Sequence, residues 1–307
     1  MTKKCVGCGI ALQDKDELKT GYTKEMGMDY CMRCFKLRNY NELINNGVNI
    51  DNKDLLNRIN MKNNFVLFLV DYLSIYEEVI KIYKAIKCRK MLVITKSDLI
   101  YKNIIKDDLI ANIRDIYSIK EDILFVSSSN RYNIDKLSNI IEKNKNVVVT
   151  GFTNAGKSSL INTIMGSKIT VSNKSNTTQD FIKIKGDYYT IYDAPGFISK
   201  NILPNIYSKN PLIPFVYQMD PKYFLRFNNV ELYFKESSNI TMYLNKQIIA
   251  KLKVKDSVKM DILVPSNSDL VIKGLGFIRF KSANFIGLNL APDYYEIRPT
   301  IIGGNHE

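Results

Sequence analysis

The segment "GFTNAGKS", residues 151–158, constrains this chain more than any other stretch. It satisfies GxxxxGK[ST], follows the apolar run "NVVV" and precedes a helix-like sequence. In a strand–loop–helix setting such a loop wraps backbone N–H groups around phosphate oxygens. The pattern therefore predicts an α/β domain with a nucleotide at the carboxyl ends of its strands. Ala155, Gly156, Lys157, Ser158 and Ser159 are candidate binding residues. Lys157 neutralises the outer phosphates, and the Ser158 hydroxyl ligates Mg2+.

The flanking sequence agrees. "FVLFLVD", "KMLVIT", "DILFVS" and "NVVVTG" read as buried strands, and "YEEVIKIYKAIK", "KNIIKDDLIANIRDIY" and "IDKLSNIIEK" as helices between them. Such alternation predicts a parallel-rich sheet covered on both faces. Downstream, "IYDAPG" supplies Asp193 for the magnesium shell and the Gly196 N–H for a γ-phosphate. Between these lies "SNTTQD", residues 175–180, where Thr178 is placed to close over Mg2+.

A second motif lies upstream. In "TKSD", residues 95–98, Lys96 packs along a purine plane and Asp98 accepts from the N1 and N2 hydrogens of guanine. Adenine presents the wrong donors, so the aspartate selects GTP. "VSSSN" ends the next strand and offers Ser127 and Ser128 beneath the base. The resulting order is base loop, support loop, phosphate loop, switch, magnesium loop. That is the ordinary order rotated, which a fold tolerates when its original termini lie close together.

Cys5, Cys8, Cys31 and Cys34 form "CVGC" and "CMRC". Two such pairs bring four thiolates to one tetrahedral zinc, and a filled shell leaves no open position for catalysis. A structural zinc finger is expected, its folding energy supplied by the metal. Cys88 has no partner spacing and reads as a small packed residue.

Across 307 residues the formal charge is +13, with 45% hydrophobic residues. That length suits two or three domains, and the charge suits either a solvated lysine-rich surface or a polyanionic partner such as nucleic acid. No apolar run reaches the length of a membrane span, and the amino terminus lacks an apolar signal core. A cytoplasmic protein without a membrane partner is expected. The single His306 argues against histidine general-base catalysis.

Together, "CVGC…CMRCF", "TKSD", "VSSS", "GFTNAGKSS", "NTTQD" and "DAPG" resemble the YqeH-type circularly permuted GTPases of bacteria, over essentially the whole chain. The resemblance implies a zinc finger over 1–45, a permuted P-loop GTPase domain over 46–204 and a mostly β domain over 205–307. It further implies a role in small ribosomal subunit assembly, with rRNA as partner and no DNA. A monomer is expected. Ser175 and Asn176 stand where the family carries Pro and Gly, and Thr95 where Asn is commoner. A typical GTPase has Gln after the DxxG glycine; this chain has Phe197. In related members an Asn at the position of Asn154 helps hold potassium, which implies slow hydrolysis stimulated by potassium and by ribosomal particles. The expected cofactors are thus GTP or GDP, Mg2+, Zn2+ and, through Asn154, K+. Lys157, Asn154, Thr178 and Gly196 form the expected catalytic set. Because the rotated domain ends at "DAPGF", its γ-phosphate sensor runs straight into the C-terminal domain, which nucleotide state would then bias.

In that C-terminal part, alternation places Lys251, Lys253 and Lys255 on one face of a strand, and Phe277, Arg279 and Lys281 on one face of another, opposite Ile278 and Phe280. A solvated cationic sheet face and an RNA-reading sheet with Phe277 stacked on a base both fit this pattern. Two rivals to the switch remain at this stage. One is an RNA-binding scaffold that binds GTP with negligible hydrolysis. The other is a small-molecule phosphotransferase, for which no catalytic base is found.

Overall fold

The structure is a computed structural model of the whole chain. It describes residues 3, 5, 11–17, 21–25, 27–32, 51–102, 104–166, 181–199, 201–203, 214–244, 249–254 and 258–303. Cys8, Cys34, Lys255, Thr178 and the rest of the 175–180 segment lie outside them.

The described chain opens with helix α1, Asn52–Lys62, and continues through β1, Phe65–Asp71; α2, Glu77–Ala85; and β2, Lys90–Thr95. Helix α3, Lys106–Tyr117, leads to β3, Ile123–Phe125, and α4, Ile134–Asn144, leads to β4, Asn146–Gly151. Helix α5, Lys157–Met165, is followed by β5, Ile182–Lys185, and β6, Thr190–Asp193. These six strands form one sheet in the order β3-β2-β1-β4-β6-β5. The pairs β1–β4, β2–β3 and β4–β6 are parallel, and β5–β6 is antiparallel. The central strands are apolar almost throughout because helices cover both faces. Leu67, Leu69, Val93, Val147 and Val149 pack against Leu137 and Ile141 of α4 and Leu160 and Ile161 of α5. On the opposite face, Phe68 meets Tyr83 of α2 at 5.6 Å between ring centroids.

Ten further strands follow. They are β7, Phe215–Met219; β8, Tyr223–Phe227; β9, Val230–Phe234; β10, Ser238–Tyr243; and β11, Ile249–Lys253. The remainder are β12, Ile262–Val264; β13, Ser268–Ile272; β14, Gly276–Phe280; β15, Asn284–Leu288; and β16, Tyr295–Pro299. They make two five-stranded antiparallel sheets, β16-β13-β14-β10-β7 and β11-β8-β9-β15-β12. The sheets share one apolar core, with Met219, Met242, Leu270 and Phe280 from the first and Leu225, Phe227, Phe234 and Ile286 from the second. This is a β-sandwich.

The chain divides into two compact units whose boundaries interleave. One comprises 1–70, 82–96 and 121–198; the other comprises 71–81, 97–120 and 199–307. In the second unit, residues 71–81 and α3 lie over part of the first β-sheet's outer face. There Tyr72 meets the Phe277 ring edge-on at 5.8 Å, and Tyr243 stacks on Phe277 at 4.6 Å. Arg298 pairs with Asp269 at 3.2 Å, and its guanidinium also donates to the Ile75 carbonyl and the Tyr117 hydroxyl. One expectation is corrected here: Phe277 is fully buried and offers no ring for a nucleic-acid base. It shares a face with Arg279 as the alternation requires, but Tyr72 covers that end of the face. Lys251 and Lys253 are exposed, with Leu252 half-buried between them. Among the described residues no helix is long and apolar enough to cross a membrane.

Candidate functional site

The phosphate loop grows from the end of β4. Gly151 has φ +147°, and a Cβ there would lie 2.2 Å from the Leu69 carbonyl oxygen, so any side chain would collide with β1. Asn154 and Gly156 are left-handed, at φ 66° and 79°. The loop turns tightly, with the Ala155 N–H donating to the Phe152 carbonyl at 3.2 Å. Gly156 caps α5 without a side-chain hydrogen bond, and the first turn of α5 carries no acid. That helix end therefore presents backbone N–H donors and a positive dipole suited to an anion.

Lys157 Nζ lies 3.4 Å from the Phe152 carbonyl. A Cβ on Gly196 would fall 2.9 Å from that ammonium and 3.1 Å from the Thr153 N, so glycine lets the "DAPG" segment approach the loop. Burial pushes the Lys157 pKa below its usual value, against the opposing pull of the Asp193 carboxylate. Asp193 is 5% exposed at the end of β6, in register with Val149 of β4. Ser158 is half-buried, while Asn154 and Ser159 are exposed.

The segment after Asp193 is zipped to the phosphate loop. The Ala194 N–H donates to the Val149 carbonyl, the Phe197 N–H to Gly151, and the Thr153 N–H to Phe197, each at 3.0 Å. Phe197 is fully buried between Phe152 and Phe68, at 5.8 and 6.1 Å. Its ring anchors the segment and cannot orient a water molecule. One residue further, Asn52 of α1 holds Ile198 by both backbone groups. Its amide NH2 donates to the Ile198 carbonyl at 2.7 Å, and its Oδ1 accepts from the Ile198 N–H at 2.9 Å. Sequence reasoning missed this contact. An Asn at a helix start reads as a local cap, and nothing nearby marks a partner 146 residues away.

The upstream motif meets the same loop. Thr95, 4% exposed at the end of β2, donates its hydroxyl to the Ala155 carbonyl at 2.8 Å and lies 3.3 Å from the Val70 carbonyl. Lys96 follows in a left-handed conformation, φ 56°. Asp98 is exposed in the one-turn 3-10 helix Ser97–Leu99. Ser127 is fully buried, its hydroxyl 2.9 Å from that of Ser129, and Ser128 is half-buried. The sheet thus brings Thr95, Ala155, Lys157, Asp193 and Gly196 into one cluster. A buried ammonium, a helix amino terminus and a buried carboxylate fit a triphosphate with its divalent cation.

Of the four proposed zinc ligands, Cys5 and Cys31 are described. Both are 2% exposed, and the Cys31 N–H donates to Cys5 Sγ at 3.2 Å. Among the described residues no three His, Cys, Asp or Glu side chains gather as a metal site.

A family model described as "50S ribosome-binding GTPase" matches residues 146–247. The match begins at β4, so "TKSD" falls outside it, as rotation of the domain requires. YqeH of Bacillus subtilis (strain 168), described as an uncharacterized protein, is 28% identical over 258 residues, covering 74% of this chain and 70% of that protein. GTPase Era of Buchnera aphidicola subsp. Acyrthosiphon pisum is 47% identical over 57 residues, covering 17% of this chain and 20% of that protein. The crystal structure of YjeQ from Thermotoga maritima aligns with 24% identity and a TM-score of 0.34, over 44% of this chain and 48% of that one. A six-stranded sheet with the phosphate loop downstream of the base motif, together with similarity to YqeH over most of its length, supports the resemblance of this chain to the YqeH-type circularly permuted GTPases.

Proposed function

We propose that the chain is a GTP-hydrolysing switch that acts in assembly of the small ribosomal subunit, in the cytoplasm and as a monomer, through binding of rRNA. The observation that carries the nucleotide reading is the hydrogen bond from Thr95 to Ala155, which ties the base-reading motif to the phosphate loop. Lys157 and the backbone of 154–158 hold the phosphates. Ser158, Asp193 and Thr178 are the magnesium ligands, and the Gly196 N–H meets the γ-phosphate. Lys96 and Asp98 read guanine, with Ser127 and Ser128 supporting the base. When bound, Mg2+ offsets charge on the transferring phosphoryl group. Asn154, exposed and left-handed at the loop, is the proposed potassium ligand. Cys5, Cys8, Cys31 and Cys34 hold zinc in a finger over 1–45, followed by the nucleotide domain to 204 and the β domain from 205.

A ribosomal role is supported by the matched family's description, which names the 50S particle, and by the charge of +13, while the choice of the small subunit rests on the resemblance to YqeH-type GTPases alone. A titration with fluorescent GTP and XTP tests the base assignment. Asp98→Asn shifts preference toward XTP, and unchanged preference overturns the role of Asp98. Single-turnover hydrolysis with and without small subunits, in potassium and then sodium chloride, tests the switch.

The buried Phe197 favours a second reading, an RNA-binding scaffold that holds GTP with negligible turnover. Hydrolysis that stays at background in the presence of small subunits and potassium selects it.

A further inference from the structure

The first β-sheet of the sandwich has an inner face in the apolar core and an outer face only partly covered. Residues 71–81 and α3 cover the outer face over β13 and β14, where Tyr72 seals Phe277 and Arg298 reaches Asp269. Beyond that cover, over β14, β10 and the edge strand β7, the same face opens into a groove of about 810 Å3. The register lays its floor out in rows. Val216, Thr241 and Arg279 are directly paired across the three strands. Asn239 pairs with Gln218 in the row beside them, and Lys281, the residue after β14, lines the same groove. Tyr101, 49% exposed, stands in the wall.

The groove is mixed, with Ile105 and Val216 exposed at 63% and 75% beside polar groups from Gln218, Asn239 and Thr241. The side-chain amides of Gln218 and Asn239 and the Thr241 hydroxyl make no hydrogen bond with any described residue. Two cations line the groove against one carboxylate, Asp108: Lys281 is exposed, and Arg279 is half-buried opposite Asp269 of β13. Amides and a hydroxyl that can donate and accept, cations set beside them, and an exposed aromatic ring in the wall are the chemistry of single-stranded RNA recognition. Cations meet phosphates, amides meet base edges and 2′-hydroxyls, and the ring stacks on a base. A purely electrostatic surface would not need the amides.

The geometry points to this groove as a binding site for single-stranded RNA, with Arg279 and Lys281 on the phosphates, Gln218, Asn239 and Thr241 on base edges and sugar hydroxyls, and Tyr101 as the stacking ring. The proposal rests on the RNA half of the function proposed above and is independent of the nucleotide site.

Fluorescence anisotropy of the full chain with a labelled mixed-sequence RNA 12-mer, without GTP, tests it. A DNA strand of the same sequence, duplex RNA and an unlabelled extended peptide are the comparison arms. Gln218→Ala combined with Asn239→Ala weakens RNA binding about tenfold without changing its salt dependence. Lys281→Glu weakens it and lowers the salt slope by about 1 or more. Lys185→Glu, the same charge change at an exposed position of β5, serves as control and has the smaller effect. Gln218, Asn239 and Lys281 are exposed, so unchanged thermal melting certifies the fold. Wild-type protein that fails to bind RNA overturns both this proposal and the RNA half of the function. Wild-type binding that both groove variants retain overturns the groove alone. Equal losses from Lys185→Glu and Lys281→Glu, equal affinity for DNA or duplex, or displacement by the peptide also overturn it.

Discussion

Arg298 in the β unit and Lys157 in the nucleotide unit are both cations withdrawn from water, and their surroundings differ in kind. Arg298 is 4% exposed and paired with Asp269, with further donation to the Ile75 carbonyl and the Tyr117 hydroxyl. Burial opposes its charge, but the Tyr117 hydroxyl and the Asp269 carboxylate outweigh burial and raise its pKa. Asp269 also accepts from the Ile301 N–H at 3.1 Å. Lys157 has a carbonyl at 3.4 Å and the field of Asp193, and there burial wins. The first arrangement pairs a charge with an opposite charge within the fold. The second leaves a charge under-compensated at a helix amino terminus, where an oligophosphate would complete it.

Breaking the first arrangement has the largest effect. Arg298→Ala strands the Asp269 carboxylate in the sandwich and costs about 3–5 kcal/mol, read by denaturant unfolding. Replacing both partners, Arg298→Met with Asp269→Leu, recovers most of that loss. A single-variant cost under about 1 kcal/mol would erase the contrast with Lys157.

Lys157→Ala gives the complementary result. Turnover falls about a hundredfold or more, while unfolding free energy stays level or rises slightly, because a desolvated charge is gone. Loss of stability comparable to that of Arg298→Ala would show that Lys157 is structural.

Titration sharpens the difference. Bound phosphates favour the charged ammonium and so raise a pKa that burial had lowered below 10.5. Nucleotide affinity is therefore full below the pKa of the free protein and falls up to about tenfold per pH unit above it. Folding shows the opposite sign: the unfolded lysine holds its proton more tightly, so the stability penalty at this site is relieved as pH rises through the folded pKa. Lys157→Arg flattens the affinity profile in a fluorescent-nucleotide titration from pH 7 upward. A wild-type profile equally flat removes the lowered pKa from the account.

The smallest effect is at the seam between the two motifs. Thr95→Val keeps shape but leaves the Ala155 carbonyl without its donor, costing about 1 kcal/mol and loosening nucleotide binding by a similar factor.

Much of this was legible in the sequence. The strand runs "FVLFLVD", "KMLVIT" and "NVVVTG" are strands, and the rotated motif order is matched by the strand order. Glycine needs were legible in part: the pattern demands Gly151, and the clash with Leu69 supplies the reason. What escaped was covering. Period-two alternation grouped Phe277 with Arg279 and Lys281 correctly, but a shared face can be roofed at one end and open at the other. The roof here comes from residues 71–81 and 97–120, which chain order assigns to the nucleotide domain. Periodicity states which way a side chain points and is silent on what arrives above it from 200 residues away. The Asn52 contact escaped for the same reason.

That contact has a mechanical reading. Asn52 grips Ile198 at both its donor and its acceptor, so the end of the "DAPGF" segment and helix α1 are tied together. A shift of Ile198 by a few ångström must either rupture the pair, at about 1 kcal/mol per bond, or drag α1 along. Dragging has its own cost, because Leu55 and Ile59 bury one face of α1 and Asn60 bonds to Ala85 and Lys87, so the pair of bonds fastens the chain after Gly196 to an already anchored eleven-residue helix.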